Sequence, residues 1–254
     1  MHIALTRKPS PELVKCELTH ISREPINMGK AYIQHREYER SLEEMGCEIF
    51  RLPDLPDHAD GIFVEDTAVV FPEVAVIARP GAVSRRKETE SVASSLQQWR
   101  ELRYITKPAT LDGGDVFMLG KRVLCGISTR TNKEGVRQLR SILDPFGYTV
   151  EGIPVEHCLH LKTAFAHVAD DVMLVNPDWI DPSLFPSMKI IHVDSSEPYA
   201  ANALKIGGEV LYPEVFNQTR QKLEAENIPL RTIDVSELSK AEAGLTCSSI
   251  VFTP

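Results

Sequence analysis

The chain has 254 residues, of which 43% are hydrophobic and 25% are charged, so it is long enough to bury a substantial core. Its net charge of −8 disfavours a nucleic-acid or anionic-membrane surface, because such surfaces need clustered Lys and Arg. No apolar run approaches the length of a membrane span, and no signal peptide is predicted. An acidic protein of this kind is compatible with a small cationic ligand.

The cysteine pattern indicates a reducing compartment. The count is odd, and no pair has the C-x-x-C spacing of a redox or metal motif. A chain of this size does not need disulfides to fold, so we expect reduced thiols and a cytoplasmic location. The cysteines are Cys16, Cys47, Cys125, Cys158 and Cys247.

The first predicted element is a strand over 2–6, which has no hairpin partner of its own and is expected to pair with the last strand of the chain. Residues 16–31 separate it from the first helix. A loop of this length in a compact domain is often functional, which predicts a lid, with an ordinary surface loop as the alternative.

Helical periodicity recurs in four places. In the third, Thr131 and Glu134 have the spacing of a capping box and Gly147 suits a helix end. A proline-containing stretch, 178–187, predicts a loop with at most one helical turn. The four helical segments are 31–46, 87–102, 131–147 and 214–228.

Short apolar hairpins repeat along the chain, each preceded by a further strand-like run and each opened by a polar or reactive residue. The spacings between the openers are close to 45 residues. Long charged helices and the lack of a WD dipeptide exclude an all-strand WD propeller, so we expect a ring of five strand-and-helix units. The hairpins lie in 65–80, 111–126, 160–177, 201–213 and 244–254, and their openers are Asp66, Asp112, His160, Asn202 and Cys247.

A ring would bring the openers together at its axis, although they are far apart in sequence. A Cys, a His and several carboxylates in one pocket are the groups that nucleophilic catalysis requires. Each also has an ordinary explanation. Cys247 could be a small buried hydrophobe, and His160 could be structural or a metal ligand with His157 and Cys158. Residues 157 and 160 face opposite sides of an extended strand, which makes a shared metal unfavourable.

Seven short motifs occur in a fixed order along the chain: FVED, RPGAVSRRKE, LDGGDV, RTN, HLKT, YAAN and GLTCSS. In these motifs the chain resembles the dimethylarginine dimethylaminohydrolases, from about residue 5 to its C-terminus. These enzymes belong to the wider guanidine-modifying superfamily, with the arginine deiminases and amidinotransferases. The family fold, a pentein-like five-unit α/β propeller with a central pocket, agrees with the repeat.

The resemblance implies a catalytic set in which Cys247 is the nucleophile, His160 is the general acid and base, and Asp112 orients His160. It implies a single catalytic domain over 1–254 that needs no metal or organic cofactor. It also implies substrate-binding roles for both ends of an arginine-like molecule. Glu65 and Asp66 would hold the guanidinium, Arg85 and Arg130 the carboxylate, and Asp60, the backbone of Leu18 and the strip at Ala241 the amino-acid end.

Two positions depart from the family pattern. Some bacterial members have Glu where Asp112 stands. The family often reads Asp-Gly before the catalytic strand, where this chain has Ala241 and Glu242. That strip helps to hold the amino-acid end of the substrate, so the departure bears on substrate choice.

The implied activity is hydrolysis of Nω-methylated arginines, asymmetric dimethylarginine or monomethylarginine, to citrulline and an alkylamine through a covalent thiouronium on Cys247. The alternative is a citrulline or other guanidine or ureido hydrolase, related to arginine deiminase, on the same scaffold. A binding protein without turnover is a further alternative. The expected partner is a cationic amino acid, not nucleic acid or membrane, and the sequence leaves a homodimer open.

Overall fold

The computed structural model describes all 254 residues and contains fifteen short strands. The strands are β1 (His2–Thr6), β2 (Cys47–Arg51), β3 (Ala68–Val70), β4 (Val74–Ile77), β5 (Glu101–Tyr104), β6 (Val116–Leu119), β7 (Arg122–Ile127), β8 (Thr149–Pro154), β9 (Phe165–Ala169), β10 (Val172–Val175), β11 (Lys189–His192), β12 (Leu204–Ile206), β13 (Glu209–Pro213), β14 (Leu230–Ile233) and β15 (Ile250–Phe252). The helices are α1 (Met28–Glu44), α2 (Glu88–Leu96), α3 (Lys133–Leu143), α4 (Asn217–Ala225) and α5 (Ser236–Ser239).

The strands form five sheets of three strands each, with the orders β15-β1-β2, β3-β4-β5, β6-β7-β8, β9-β10-β11 and β12-β13-β14. In every sheet the first two strands are antiparallel, and the third is parallel to the central strand. A parallel neighbour needs a crossover connection, which α1, α2, α3 and α4 supply in four units. The apolar run before each predicted hairpin therefore completes the preceding unit.

The first strand closes the ring, as predicted. β1 pairs antiparallel with β15, with Ile3 opposite Phe252 and Leu5 opposite Ile250. This unit, the first in the order given above, is consequently built from both ends of the chain, and Cys247 lies in the 3₁₀ turn Thr246–Ser248 that precedes the strand closing the ring.

Five hydrophobic clusters join the units pairwise, and each cluster draws buried side chains from two neighbouring sheets. One contains Leu5 of β1 together with Ile77 of β4, and another contains Ala4 of β1 together with Leu211 of β13. The remaining three join the second unit to the third, the third to the fourth, and the fourth to the fifth. Five interfaces among five units make a closed ring, the five-unit α/β propeller of the pentein type.

Local details differ from the predicted helix ends. Asn132, not Thr131, is the N-cap of α3, and its side chain accepts from the N–H of Gly135 at 2.8 Å. Thr131 is instead buried and accepts from the N–H of Asp112 at 3.0 Å, so it supports the site. Trp99 lies beyond the end of α2 and packs edge-on against Phe252.

Two other predictions are confirmed. Gly147 adopts the left-handed conformation, with φ of 75°, directly after a short 3₁₀ turn that extends α3. The stretch 178–187 contains one 3₁₀ turn, Pro182–Leu184, and connects the second and third strands of the fourth unit. None of the helices combines the length and apolar character that a membrane crossing requires.

Candidate active site

The polar openers of the repeat lie around the propeller axis. One small pocket is lined by Asp66, Asp112, His160 and Cys247, each from a different unit. Its lining also includes the predicted residues Asp60, Arg85, Arg130 and Ala241. The fifth opener, Asn202, lies behind the pocket, where it bonds to backbone and side-chain atoms next to Cys247.

Close backbone approach explains the two glycines of the LDGGDV motif. A Cβ on Gly114 would lie 2.7 Å from both Oδ1 of Asp66 and Nδ1 of His160, and a Cβ on Gly113 would lie 2.0 Å from the carbonyl oxygen of Glu65. Only glycine leaves room for these contacts. The N–H of Gly114 donates to Oδ1 of Asp66 at 3.1 Å, so the same turn holds both Asp112 and Asp66 in place.

His160 lies between two buried carboxylates. Its Nε2 is 3.1 Å from Oδ2 of Asp112, and its Nδ1 is 3.7 Å from Oδ1 of Asp66. Burial alone would lower the pKa of His160, but Asp66, Asp112 and Asp115 outweigh it and raise the pKa to about 9. The imidazole is therefore cationic at pH 7, with Nε2 engaged by Asp112 and Nδ1 beyond hydrogen-bonding distance of Asp66.

Asp115 is a buried carboxylate of this site that the sequence reasoning did not single out. It accepts from the N–H of Leu161 at 2.9 Å and from the hydroxyl of Ser128 at 2.6 Å, which fixes the turn after His160. Burial raises the pKa of Asp115. Its position as the last acid of LDGGDV was the available signal.

Cys247 is the middle residue of a short 3₁₀ turn, Thr246–Ser248, that several groups support. The N–H of Gly244 donates to its sulfur at 3.3 Å. Tyr38 of α1 donates to the carbonyl of Leu245 at 2.8 Å and lies 2.7 Å from the hydroxyl oxygen of Ser249. Burial raises the pKa of Cys247, and the charges of Glu65 and Asp66 raise it further. These effects favour the neutral thiol in the substrate-free site.

Glu65 and Asp66 are adjacent in sequence but point to different places. Glu65 accepts from the hydroxyl of Thr246 at 2.9 Å and pairs with Nζ of Lys162 at 2.7 Å. It lines a second cavity of about 400 Å³ on the other side of Thr246, not the small pocket around Cys247. Lys162, which follows His160 by two residues, was not predicted to take part in the site.

Arg85 is buried, and carboxylates and carbonyls already occupy most of its donors. It donates to Asp66 at 2.5 Å, to Glu88 at 2.9 Å and 3.1 Å, and to the carbonyls of Asp60 and Phe63 at 3.3 Å and 2.7 Å. Glu88 and Asp66 hold the pKa of Arg85 well above its usual range, against the effect of burial. One N–H of Nη1 is left for a substrate.

Arg130 is half-buried, and Nη2 donates to the hydroxyl of Thr19 at 3.3 Å. Asp60 accepts from the N–H of Glu17, and burial raises its pKa to about 6. Leu18 is half-buried at the edge of a hydrophobic cluster and does not line the pocket. These three groups lie on the predicted amino-acid side, and their substrate roles stay predictions.

Donor atoms of Asp66, Asp112 and His160 lie within 4.8 Å of one another, a spacing that a metal ion could use. The cluster already holds positive charge, because Arg85 pairs with Asp66 and the raised pKa keeps His160 cationic. A metal would have to displace the proton on His160 and lie beside Arg85. The donor set therefore fits an ion-pair network better than a metal centre.

Comparison with known proteins agrees with this geometry. The family model described as arginine deiminase matches residues 90–198. Two curated proteins named N(G),N(G)-dimethylarginine dimethylaminohydrolase are similar over nearly their whole length. The Streptomyces coelicolor protein is 36% identical, over 97% of this chain and 95% of its own, and the Pseudomonas aeruginosa protein is 33% identical, over 98% of both.

Solved structures give the same result for the fold. The Pseudomonas aeruginosa enzyme, as a cysteine-to-serine variant in complex with citrulline, aligns with a TM-score of 0.93 at 32% identity, over 98% of both chains. A histidine-to-glycine variant of a dimethylarginine dimethylaminohydrolase, as an adduct with S-methyl-L-thiocitrulline, aligns with a TM-score of 0.94 at 32% identity, over 99% of this chain and 100% of its own.

The propeller of five units and the Cys, His and carboxylate pocket at its axis define a protein of the guanidine-modifying superfamily. Sequence identity above 30% to the two curated proteins, over nearly the full length, narrows the assignment from the superfamily to one family. The chain belongs to the dimethylarginine dimethylaminohydrolase family.

Proposed function

We propose that this chain hydrolyses Nω-methylated arginines to citrulline and an alkylamine. The observation that carries the proposal is that Cys247, His160 and Asp66, from three different units, line one buried pocket. A thiol, a cationic acid and a carboxylate are the groups needed to bind a guanidinium and open it at carbon. Membership of the family supports the same activity.

The guanidinium would be held first by its charge. Asp66 is fixed by Arg85 and Gly114, and the cations His160 and Arg85 hold its pKa below the usual range despite burial. A lowered pKa makes Asp66 an ionised acceptor at neutral pH. Glu65 would contribute to guanidinium binding by its negative charge and not by direct contact, since that charge already raises the pKa of Cys247.

Covalent chemistry would then proceed in two halves. Binding of the cationic substrate favours release of the Cys247 proton to solvent, because His160 is already protonated, and the thiolate attacks the guanidinium carbon. A proton from Nδ1 of His160 goes to the departing dimethylamine as its C–N bond breaks, which leaves a thiouronium on Cys247. Neutral His160 takes a proton from water, the resulting hydroxide adds to the same carbon, and the C–S bond breaks to give citrulline and the free thiol.

The direct test is turnover of four substrates side by side: asymmetric dimethylarginine, monomethylarginine, arginine and citrulline. We expect citrulline with one equivalent of alkylamine from the first two. Cys247→Ser is the matched inactive control, and quenched reactions of the wild type should carry a mass adduct on Cys247. Ammonia release from arginine or citrulline in preference would favour the alternative hydrolase, and labelling without turnover would favour a binding protein.

The remaining inferences concern the whole chain. We propose that residues 1–254 act as one catalytic domain, because five cluster interfaces link the units into a ring that no single unit could complete. We also propose a cytoplasmic location, since all five cysteines are free thiols. Neither a metal nor an organic cofactor has a role in the proposed steps, and a dialysed, chelator-treated enzyme should keep its activity.

A further inference from the structure

The short turn that carries the nucleophile separates two cavities. Cys247 lines the pocket that it shares with His160, whereas Thr246 and Ser249 line the cavity of about 400 Å³ on the opposite side, here called the axial cavity. The first strand of every sheet contributes to the lining of the axial cavity. Dispersion contacts need atoms on both sides of a group, so packing alone cannot hold a turn that is backed by a cavity. Hydrogen bonds have to hold it instead.

Tyr38 of α1 holds the turn on both sides of the nucleophile. Its hydroxyl donates to the carbonyl of Leu245 at 2.8 Å, and the same oxygen lies 2.7 Å from the hydroxyl oxygen of Ser249. A tyrosine has one hydroxyl proton, and the Leu245 carbonyl accepts it, so Ser249 is the donor in the second bond. The two partners lie two residues before and two residues after Cys247, and they are 207 and 211 residues from Tyr38 along the chain.

Tyr38 is a neutral hydrogen-bonding group in a fixed place. Its side chain is buried in the hydrophobic cluster that joins the first and fifth units, and Cys247 packs against the same cluster. Burial raises the pKa of Tyr38, the bond with Ser249 opposes this rise, and the charges of Glu65 and Cys247 add to it. The hydroxyl therefore keeps its proton at neutral pH and acts only by holding its partners.

The shape of the turn matters because the sulfur of Cys247 receives a hydrogen bond from within it. The N–H of Gly244 donates to the sulfur at 3.3 Å, and the N–H of Cys247 donates back to the carbonyl of Gly244 at 3.3 Å. These two bonds need the peptide groups between Gly244 and Cys247 to keep their directions, and the Leu245 carbonyl that Tyr38 holds belongs to one of them. An N–H donor of this kind stabilises a thiolate.

We propose that Tyr38, with Ser249 as its partner, is a positioning residue that fixes the sulfur of Cys247 for attack on the guanidinium carbon. The inference rests on the proposed function for its substrate, and it adds two side chains to those that prepare the nucleophile. Neither of them lines the catalytic pocket. Both act through the backbone of residues 244–249, not on the reacting carbon.

Formation of the covalent adduct is the step that should respond to loss of the hydroxyl. Tyr38→Phe keeps the ring and leaves the Leu245 carbonyl and the Ser249 hydroxyl without this partner. A displacement of about 1 Å in a reacting group can lower a rate by a factor of about 10². We therefore expect kcat to fall by a factor of about 10 to 10². The groups that would bind the substrate keep their contacts, so KM should change little.

Tyr212→Phe is the matched control. Tyr212 of β13 is also buried, and its hydroxyl donates to a backbone carbonyl, that of Ala200, at 2.8 Å. The two variants lose the same kind of bond, so both should have a lower melting temperature. Only Tyr38→Phe should lower kcat and slow the appearance of the Cys247 adduct in quenched reactions. An equal loss of kcat in Tyr212→Phe would overturn the proposal.

Ser249→Ala is a second test of the same link. It removes the donor to Tyr38 and keeps the bond from Tyr38 to Leu245, so kcat should fall, but less than in Tyr38→Phe. This variant decides the question if Tyr38→Phe does not fold. A wild-type kcat in every folded variant of the two would overturn the proposal.

Amide hydrogen exchange in the substrate-free protein gives a readout that does not need turnover. The amides of Gly244 and Cys247 should exchange about tenfold faster in Tyr38→Phe, the size of one lost hydrogen bond, and as in wild type in Tyr212→Phe. The amide of Thr246 is held by a different side chain and should change less. The proposal requires both faster exchange and lower kcat, and either effect alone would overturn it. A wild type that fails to turn over dimethylarginine would overturn the proposed function instead, and exchange would still decide whether Tyr38 holds the turn.

Discussion

Nε2 of His160 lies 3.1 Å from Oδ2 of Asp112, and both side chains are buried. Oδ1 of Asp112 accepts from the N–H of Gly81 at 2.8 Å, so the carboxylate is fixed from the other side as well. The pair joins the third and fourth units of the ring across the axis. It fixes which nitrogen of His160 faces the pocket, because only Nδ1 is left without a hydrogen bond.

Replacement of Asp112 by Asn should preserve the fold and slow turnover strongly. The neutral amide cannot stabilise the imidazolium. Its NH₂ group can also donate to Nε2, which favours a neutral imidazole in the wrong tautomer. In a comparable triad the same substitution lowers kcat by a factor of about 10⁴. The kcat of Asp112→Asn and its thermal unfolding should be measured beside those of Asp57→Asn, an exposed control. A kcat within a factor of a few of wild type would contradict the orienting role.

The pH dependence of KM should report Asp60. Burial raises its pKa to about 6, so below pH 6 the free enzyme carries a neutral Asp60 that no longer attracts an ammonium group. KM for dimethylarginine should therefore rise as the pH falls from about 7 to about 5. Asp60→Asn should have a high KM that is flat over this range. A KM rise of the same shape in that variant would assign the titration to another group.

The two arginines predicted to bind the substrate carboxylate should behave differently. Arg85 is buried with Asp66 and Glu88, and removal of one partner of a buried ion pair costs about 3–5 kcal/mol. Arg85→Ala should lower the unfolding free energy by about that amount. Arg130 is half-buried with one long hydrogen bond, so Arg130→Lys should keep its stability and raise KM more than it lowers kcat. Urea unfolding and steady-state kinetics separate the two effects.

Asn202 should affect the thiol without touching it. Its side-chain amide donates to the carbonyl of Lys162 and to the hydroxyl of Thr246, and its oxygen accepts from the N–H of Thr246. It thus ties the turn after His160 to the turn that carries Cys247. Asn202→Ala should lower kcat more than it raises KM and should broaden the pH profile of Cys247 alkylation. An unchanged profile with only a lower melting temperature would indicate a purely structural role.

The repeat could be predicted because each unit restates the same local pattern. Alternating apolar residues and a polar opener recur near every 45 residues, and a ring is the arrangement that brings the openers together. The pairing of β1 with β15 followed from the same logic, since an unpaired strand at one end required a partner at the other. Family motifs added chemical roles to positions that the pattern had already selected.

Other features could not be read from the sequence because they depend on side-chain direction within irregular turns. Glu65 and Asp66 share one 3₁₀ turn, and the turn, not the residue type, sends one to Lys162 and the other to His160. The contacts of Glu242 with the N–H groups of Thr19 and His20 span more than 220 residues and involve backbone amides, which carry no sequence signal. Arg85 likewise pairs with Glu88, the first residue of α2. The burial of Glu88 was not predictable, because a charged N-terminus of a helix is usually exposed.

The last prediction concerns the ionisation of Cys247. Burial raises its pKa, Glu65 and Asp66 add to the rise, and the N–H of Gly244 only partly opposes them. His160 is cationic, but its charge is shared with Asp66 and Asp112. The free enzyme should therefore hold a neutral thiol at pH 7, and bound guanidinium should supply the positive charge that favours the thiolate.

Iodoacetamide inactivation between pH 6 and pH 10 measures this directly. In the free enzyme the inactivation rate should still be rising above a pH of about 8.5, which is the pKa of an unperturbed thiol. A small non-reactive guanidinium ligand that leaves Cys247 accessible should shift the profile to lower pH, and neutral urea of similar size, the matched control, should not. An inactivation pKa well below 7 without ligand would contradict the prediction, since it would show that a thiolate already exists before substrate binds.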